Sequence, residues 1–367
     1  MTIRSTALFA LALVACDGGD APSSTPATDA KPAAEKPKVT PVFSLAWSEY
    51  PSWSTFGVAH ELGLIHKKKG EMGEIEKKWG VDIELKEADY DTCISMYGSG
   101  QVDAAALTNM DSLPIAVTKT TVGILPTSTS FGADALITTK SVTELAQLKG
   151  KPVRGLESSV SQYTFERNLE LAGLDAKEFT FTNADPGAAA MAMQQKQDGF
   201  EAIVVWNPFV MATLNKRDDV HVLADSKAIP GEIIDMVVMS QSSLDKPGAD
   251  AFAHAVIDTF YTISDRIENE KTRDETLIKL GEKFAKLDVE SMKTIVDQTK
   301  FYKTPEEALA LFGSDELKKV MDTVVAFEMG HGMLKAKPEI GYGKKGGAPT
   351  AAFRFDGSYI EAVKSKK

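Results

Sequence analysis

Five short loops, each following or flanking a strand-like segment, carry the residues best suited to chemistry. They cover 48–53, 109–112, 157–163, 206–209 and 230–235. Together they offer the aromatics Tyr50, Trp53, Tyr163 and Trp206, the amides Asn109 and Asn207, the hydroxyl of Ser159, and the carboxylates Asp111, Glu232 and Asp235. They contain no Lys and no Arg. A site for nitrate, sulfonate or phosphate normally aims a basic side chain at its anion, although helix N-termini can serve alone. Carboxylates around the edge of a small planar cation, with aromatic faces above and below it, give charge-assisted hydrogen bonds and cation–π attraction of up to about 2 kcal/mol. These ten residues are therefore the candidate ligand set.

Each has an alternative role. Trp206 either lines the ligand or packs beside Pro208. Trp53 is either a cleft wall or a staple for the helix that follows it. Asp111 either faces ligand or caps the helix that begins near it. Glu232 and Asp235 meet either ligand or hinge backbone. Catalytic patterns fail on inspection. His60-Glu61-Leu62-Gly63-Leu64 opens like a zinc-protease helix, but Leu64 stands where the second histidine belongs. There is no Gly-x-Ser-x-Gly elbow, and GKKGG lacks phosphate-loop spacing. The five histidines form no cluster, and His331 stands alone in a structural setting. No catalytic residue, metal or cofactor is expected.

The elements that must hold these loops alternate strand and helix. Strand-like segments lie at 42–47, 81–88, 104–109 and 121–129, then at 133–139, 152–158, 179–184, 202–207 and 220–225, with one more at 233–240. Helices are expected between them, including 141–148, 160–172 and 186–196, which predicts an α/β protein with parallel sheets covered on both faces. From 244 to 327 the pattern is almost wholly helical, and 341–350 reads as irregular. One strand after the second unit, followed by helices, implies that the chain returns to the first. The expected organisation is lobe one from 42–132 plus 236–367 and lobe two from 133–235. Two strands near 131–135 and 229–235 form the hinge, with a ligand cleft between the lobes.

The N-terminus sets the expected location. Arg4 precedes an apolar run from Ala7 to Ala15, too short to span a membrane, and Leu13-Val14-Ala15 leads into Cys16 as a lipobox. Residues 1–15 read as a signal peptide, and Cys16 as a lipidated anchor in the periplasm or at the cell surface. The segment 16–41 reads as a Pro-rich, disordered tether. About 325 residues remain, a size of about two domains. Cys93 then has no partner and reads as a small buried apolar residue. The formal net charge of −11 argues against nucleic acid.

The segments 46–53 (AWSEYPSW), 108–116 (TNMDSLPIA), 158–174 (SSVSQYTFERNLELAGL), 204–210 (VVWNPFV) and 229–238 (IPGEIIDMVV) resemble the nitrate/taurine-type periplasmic binding proteins of ABC importers. Within them the chain is similar to the subgroup encoded beside urea carboxylase genes. The resemblance covers about 42–260. It implies a type II periplasmic-binding-protein fold, hinge closure on a small solute, and delivery by a monomeric receptor to a permease with its ATPase. It also implies guanidine as ligand, with urea or a small anion such as nitrate or a sulfonate as alternatives. An enzyme of thiamine-pyrimidine synthesis on the same fold is a further alternative, disfavoured by the export signal. A lipoprotein that signals without importing is another. The basic stretch 66–74 (HKKKGEMGE) departs from the family pattern and is expected outside the cleft.

Overall fold

A computed structural model describes residues 39–66, 68–284, 286–343, 347 and 349–366. The expected signal segment, Cys16 and the tether up to residue 38 lie outside the described residues. Residues 40–367 form one compact unit.

Twelve strands build two sheets. They are β1 (Val42–Trp47), β2 (Asp82–Glu87), β3 (Ala104–Thr108), β4 (Thr121–Thr129), β5 (Asp134–Thr139), β6 (Pro152–Gly155), β7 (Thr180–Asn183), β8 (Ala202–Trp206), β9 (Val220–Asp225), β10 (Ile234–Ser240), β11 (Ile340–Gly341) and β12 (Phe353–Phe355). The first sheet has the order β11-β12-β4-β10-β3-β1-β2, and the second β7-β6-β8-β5-β9. The central strands β3 and β10 are buried along their whole length. Their sequences, AAALT and IDMVVMS, are the near-continuous apolar runs that a doubly covered sheet requires. The long helix Ala249–Glu268 buries an apolar stripe from Phe252 to Ile267 as part of the first core, which also takes up helices further along the chain.

The chain leaves the first sheet at Thr129 and enters the second at Asp134, then returns from Asp225 to Ile234. The two crossings run side by side. The Ser130 amide donates to the Ile233 carbonyl at 3.2 Å. The hydroxyls of Ser130 and Ser226 meet at 2.7 Å, and the Gly132 amide donates to Ser226 Oγ at 2.7 Å. Gly132 has φ +100°, a backbone conformation that strains any residue with a Cβ.

Three expectations need correction. Both sheets are mixed, because β10 runs antiparallel to β3 and β4, and β5 antiparallel to β8 and β9. A strand that enters a lobe directly from the hinge, without a helical crossover, is free to run in the opposite sense. The helix expected at 141–148 is a single 3₁₀ turn, Leu145–Leu148. The stretch expected to be irregular at the C-terminus begins on β11, and the chain after it supplies β12 beside β4. Cys93 is free and buried, and burial pushes its thiol up to about 12. Among the described residues, no helix is long and apolar enough to cross a membrane. The loop after 66 is tied down by carboxylates, with the His66 and Gly73 amides donating to Glu76 and the Gly70 amide to Asp82.

Candidate functional site

Where β1, β3, β5, β8 and β10 end or begin near the hinge, a narrow chamber forms between the two sheets. Tyr50, Trp53, Tyr90, Thr108, Asp134, Val160, Trp206 and Asp235 line it and pack closely, leaving a cavity of only about 10 Å³. The aromatic walls support one another. Trp53 stacks on Tyr90 with ring centres 5.4 Å apart, Tyr50 leans on Trp53 at 4.9 Å, and Trp206 meets Tyr90 edge-on at 5.4 Å. The indole N–H groups of Trp53 and Trp206 and the Tyr50 hydroxyl are buried without a well-formed hydrogen bond, although Tyr50 borders Asp235 and Ser130. Unpaired buried donors are rare in folded proteins, and several pointing at one space mark that space as a ligand site.

Three carboxylates converge here, all almost wholly buried. Asp111 Oδ2 accepts from the Tyr90 hydroxyl at 2.6 Å and from Thr108 Oγ1 at 2.9 Å, whereas Oδ1 makes no well-formed hydrogen bond and has only the Val160 amide nearby. Asp235 Oδ2 accepts from Ser128 Oγ at 2.6 Å. A register shift opposite Pro126, which has no N–H to give the ladder, brings Ser128 opposite Asp235. Asp134 sits at the start of β5, where its amide donates to Ser130 Oγ at 3.1 Å and its Oδ2 is unpartnered. Burial pushes Asp111 up to about 6, against the hydrogen bonds from Tyr90, Thr108 and the Val160 amide. Burial, with the charge of Asp111 nearby, pushes Asp134 up to about 7. Asp235 rises well above the usual carboxylate range through burial and the neighbouring Asp134 and Asp111. Behind Asp111 stands Glu328, fully buried with neither oxygen partnered, and pushed up to about 9 by burial. No Lys or Arg lines the chamber. Among the described residues, no group of three or more His, Cys, Asp or Glu side chains could hold a metal ion.

The lobes are closed on each other. The Asn207 amide donates to Gln298 Oε1 at 2.8 Å, Glu166 meets His331 Nε2 at 2.9 Å, and Tyr163 packs edge-on against Phe327. His331 thus has a structural partner across the cleft.

The sequence-derived residues separate into two groups. Tyr50, Trp53, Trp206 and Asp235 line the chamber, and Asp111 stands directly behind its Tyr90 wall. Asp111 is not a helix cap, since Ser112 precedes the helix Leu113–Ala116 and Asp111 bonds elsewhere. The other five are committed to the scaffold. Glu232 is gripped by both Arg167 Nε and Nη2 at 2.8 Å and by the Tyr163 hydroxyl at 2.5 Å. Asn109 pins the returning hinge strand, donating to the Glu232 carbonyl at 3.1 Å and accepting from the Ile234 amide at 3.0 Å. Ser159 caps the helix Val160–Leu171 and donates to the Leu156 carbonyl. Asn207 forms the cross-lobe bond to Gln298.

Tyr90 and Asp134 line the same chamber and Glu328 lies near Asp111, and none of the three was anticipated. Tyr90 follows β2 in the same way that the anticipated residues follow their strands. Glu328 interrupts the apolar stripe of Leu317, Met321 and Val324 in the helix Asp315–Gly330. A carboxylate at that spacing is a readable signal of a buried charge.

No model of a known protein family matches the sequence, and no curated protein matches it. Solved structures do share its fold. The periplasmic aliphatic sulphonate binding protein of Escherichia coli is 17% identical with a TM-score of 0.63, covering 81% of this chain and 89% of that one. The alkanesulfonate-binding protein of Xanthomonas axonopodis pv. citri, bound to MOPS, is 15% identical with a TM-score of 0.64, covering 80% and 94%. The periplasmic nitrate-binding protein of Synechocystis PCC 6803 is 14% identical with a TM-score of 0.59, covering 89% and 86%. The chain therefore has the two-lobed α/β fold of type II periplasmic binding proteins.

Proposed function

We propose that this chain is the solute-binding component of an ABC importer and that it captures a small planar cation, guanidinium, by closure of its two lobes. It is held outside the cell by a lipid on Cys16 and delivers its solute to a permease and ATPase. The lobes run from 42–132 plus 236–367 and from 133–235, and the hinge passes through Asp134 and Asp235. The ligand is bound and released without being transformed.

Asp134 and Asp235 in the lining of an aromatic chamber with no basic residue, with Asp111 directly behind its Tyr90 wall, carry this reading. The fold neighbours named for sulphonate and nitrate bind anions, which three carboxylates would repel. Ionising three buried acids together is costly, and a cation between them relieves that cost. Asp134 and Asp235 mark the two hinge crossings, whereas Trp206 comes from the second sheet and Tyr50 from the loop after β1 in the first. A cation drawing on all of them favours the closed form over the open one, which is the differential affinity that drives closure.

Urea is the second reading, favoured by the raised carboxyl groups, because protonated acids can donate to a neutral carbonyl oxygen. Asp111→Asn separates the two. It should weaken guanidinium binding by at least tenfold more than urea binding, since only the cation loses a charge partner. Equal losses for both ligands would discard guanidinium in favour of urea.

A further inference from the structure

A second, larger cavity of about 260 Å³ lies beside the chamber and shares Tyr90 and Trp206 with it as a common wall. Carboxylates surround it from both lobes. Glu49 follows β1, Glu87 ends β2, Asp89 stands between Glu87 and Tyr90, and Asp185 faces them from the second sheet. No Lys or Arg lines it. Asp89 accepts from the Thr92 amide on one oxygen and from the Thr92 hydroxyl on the other, and Asp185 accepts from the Ala188 amide on Oδ1, each at a helix N-terminus. Glu49 and Glu87 make no ion pair with a described basic residue.

Acidic residues at a cleft mouth are an ordinary way to attract cations, and alone they define no site. Two further groups give this cavity a ligand-binding character. Ser48 and Trp206 both line it, are only 3% and 4% exposed, and each carries a buried polar atom, Oγ and Nε1, without a hydrogen-bond partner. Phe209 adds an apolar surface beside Trp206, their ring centres 6.3 Å apart. The cavity thus combines an aromatic corridor, unsatisfied polar atoms and an outer acidic rim. Glu49 is partly buried, and its carboxyl is pushed up by burial and by the charge of Glu87. These two groups gain most from a cation placed between them.

Granting the guanidinium chamber proposed above, we infer that the preferred ligand is a substituted guanidine whose short alkyl arm runs past Trp206 and ends in an ammonium group held by Glu49 and Glu87. The chamber takes the planar head, and the Trp206–Phe209 surface takes the methylenes. The outer carboxylates and Ser48 Oγ take the second charge. A bare guanidinium fills the chamber only and leaves this outer apparatus unused.

Calorimetric titration of the mature protein at pH 8 with guanidinium, butylguanidinium and aminobutylguanidinium tests the inference. The aminobutyl compound should bind at least tenfold more tightly than either of the others. That advantage should shrink on adding salt, because exposed charge pairs are screened. It should disappear in the Glu49→Gln, Glu87→Gln double variant, while guanidinium affinity changes by less than threefold. If the aminobutyl compound binds no more tightly than the butyl compound while guanidinium binds well, the outer subsite is wrong and the chamber reading stands. If none of the three binds, both fall.

Discussion

Replacing Asp134 with Asn should stabilise the protein without ligand and weaken it as a receptor. Asp134 is buried at the hinge with Oδ2 unpartnered, and its carboxyl is raised from 3.8 to about 7, mainly by burial. At about 1.36 kcal/mol per pKa unit, the ionised form costs roughly 4 kcal/mol in the folded state. The folded pKa lies above the unfolded one, so the folded protein holds the proton more tightly. Stability contributed by the neutral acid is fully present below pH 4. It declines as pH rises from 4 to 7, and above about 7 the penalty is complete. Asn has nearly the same shape and does not titrate. The variant should therefore match the parent near pH 4 and exceed it by up to about 4 kcal/mol at pH 8. Thermal unfolding across this range is the suitable assay, because urea and guanidinium are themselves candidate ligands. Added guanidinium should raise the melting temperature of the parent and leave the variant nearly unmoved, reversing the order once it exceeds Kd by about a thousandfold. If the variant is less stable by a similar amount at every pH, Asp134 is a structural acceptor and the counter-ion argument fails.

Guanidinium binding should release protons near neutral pH and weaken as pH falls from 8 to 5, since Asp111 near 6 and Asp134 near 7 must first give up theirs. Titration in buffers of different ionisation enthalpy measures this, and a pH-independent affinity with no proton release would count against it. Trp206→Ala should cost about 1–2 kcal/mol of guanidinium affinity, roughly tenfold, through the lost ring face. The calorimetric affinity for urea should fall less. Arg167→Gln should lower thermal stability by about 1–3 kcal/mol by leaving the Glu232 carboxylate without its charge partner and with the Tyr163 hydroxyl as its remaining donor. It should change guanidinium affinity by less than Asp111→Asn does, because Glu232 holds the hinge and does not face the chamber.

The two-lobed α/β frame could be read from the sequence because buried parallel strands are continuous apolar runs, and helices of regular length separate them. Strand direction could not, since β5 and β10 have the same composition whichever way they run. The two short strands at the C-terminus escaped for a related reason. Residues 340–341 and 353–355 are too few to show a period, and Gly-rich chain lies between them. Asp111, Asp235, Tyr50, Trp53 and Trp206 were legible because loops at strand ends gather at one edge of a sheet. The same logic applied to 88–91 would have found Tyr90. Asp134 was hidden because it opens a strand and reads as part of the hinge. Glu232, Asn109 and Asn207 have the right chemistry and the right neighbourhood, but their partners are remote in sequence. Arg167 lies 65 residues before Glu232, and Gln298 lies 91 residues after Asn207. No local pattern reveals that such a side chain is already taken.

The central claim is that three buried acids make this a cation receptor on a fold it shares with proteins named for sulphonate and nitrate. The most direct measurement is the binding heat of guanidinium, nitrate and taurine to the mature protein at pH 8, repeated with Asp111, Asp134 and Asp235 all changed to Asn. Saturable binding of guanidinium alone, abolished in the triple variant, is the predicted result. Saturable binding of nitrate or taurine with no response to guanidinium would contradict it.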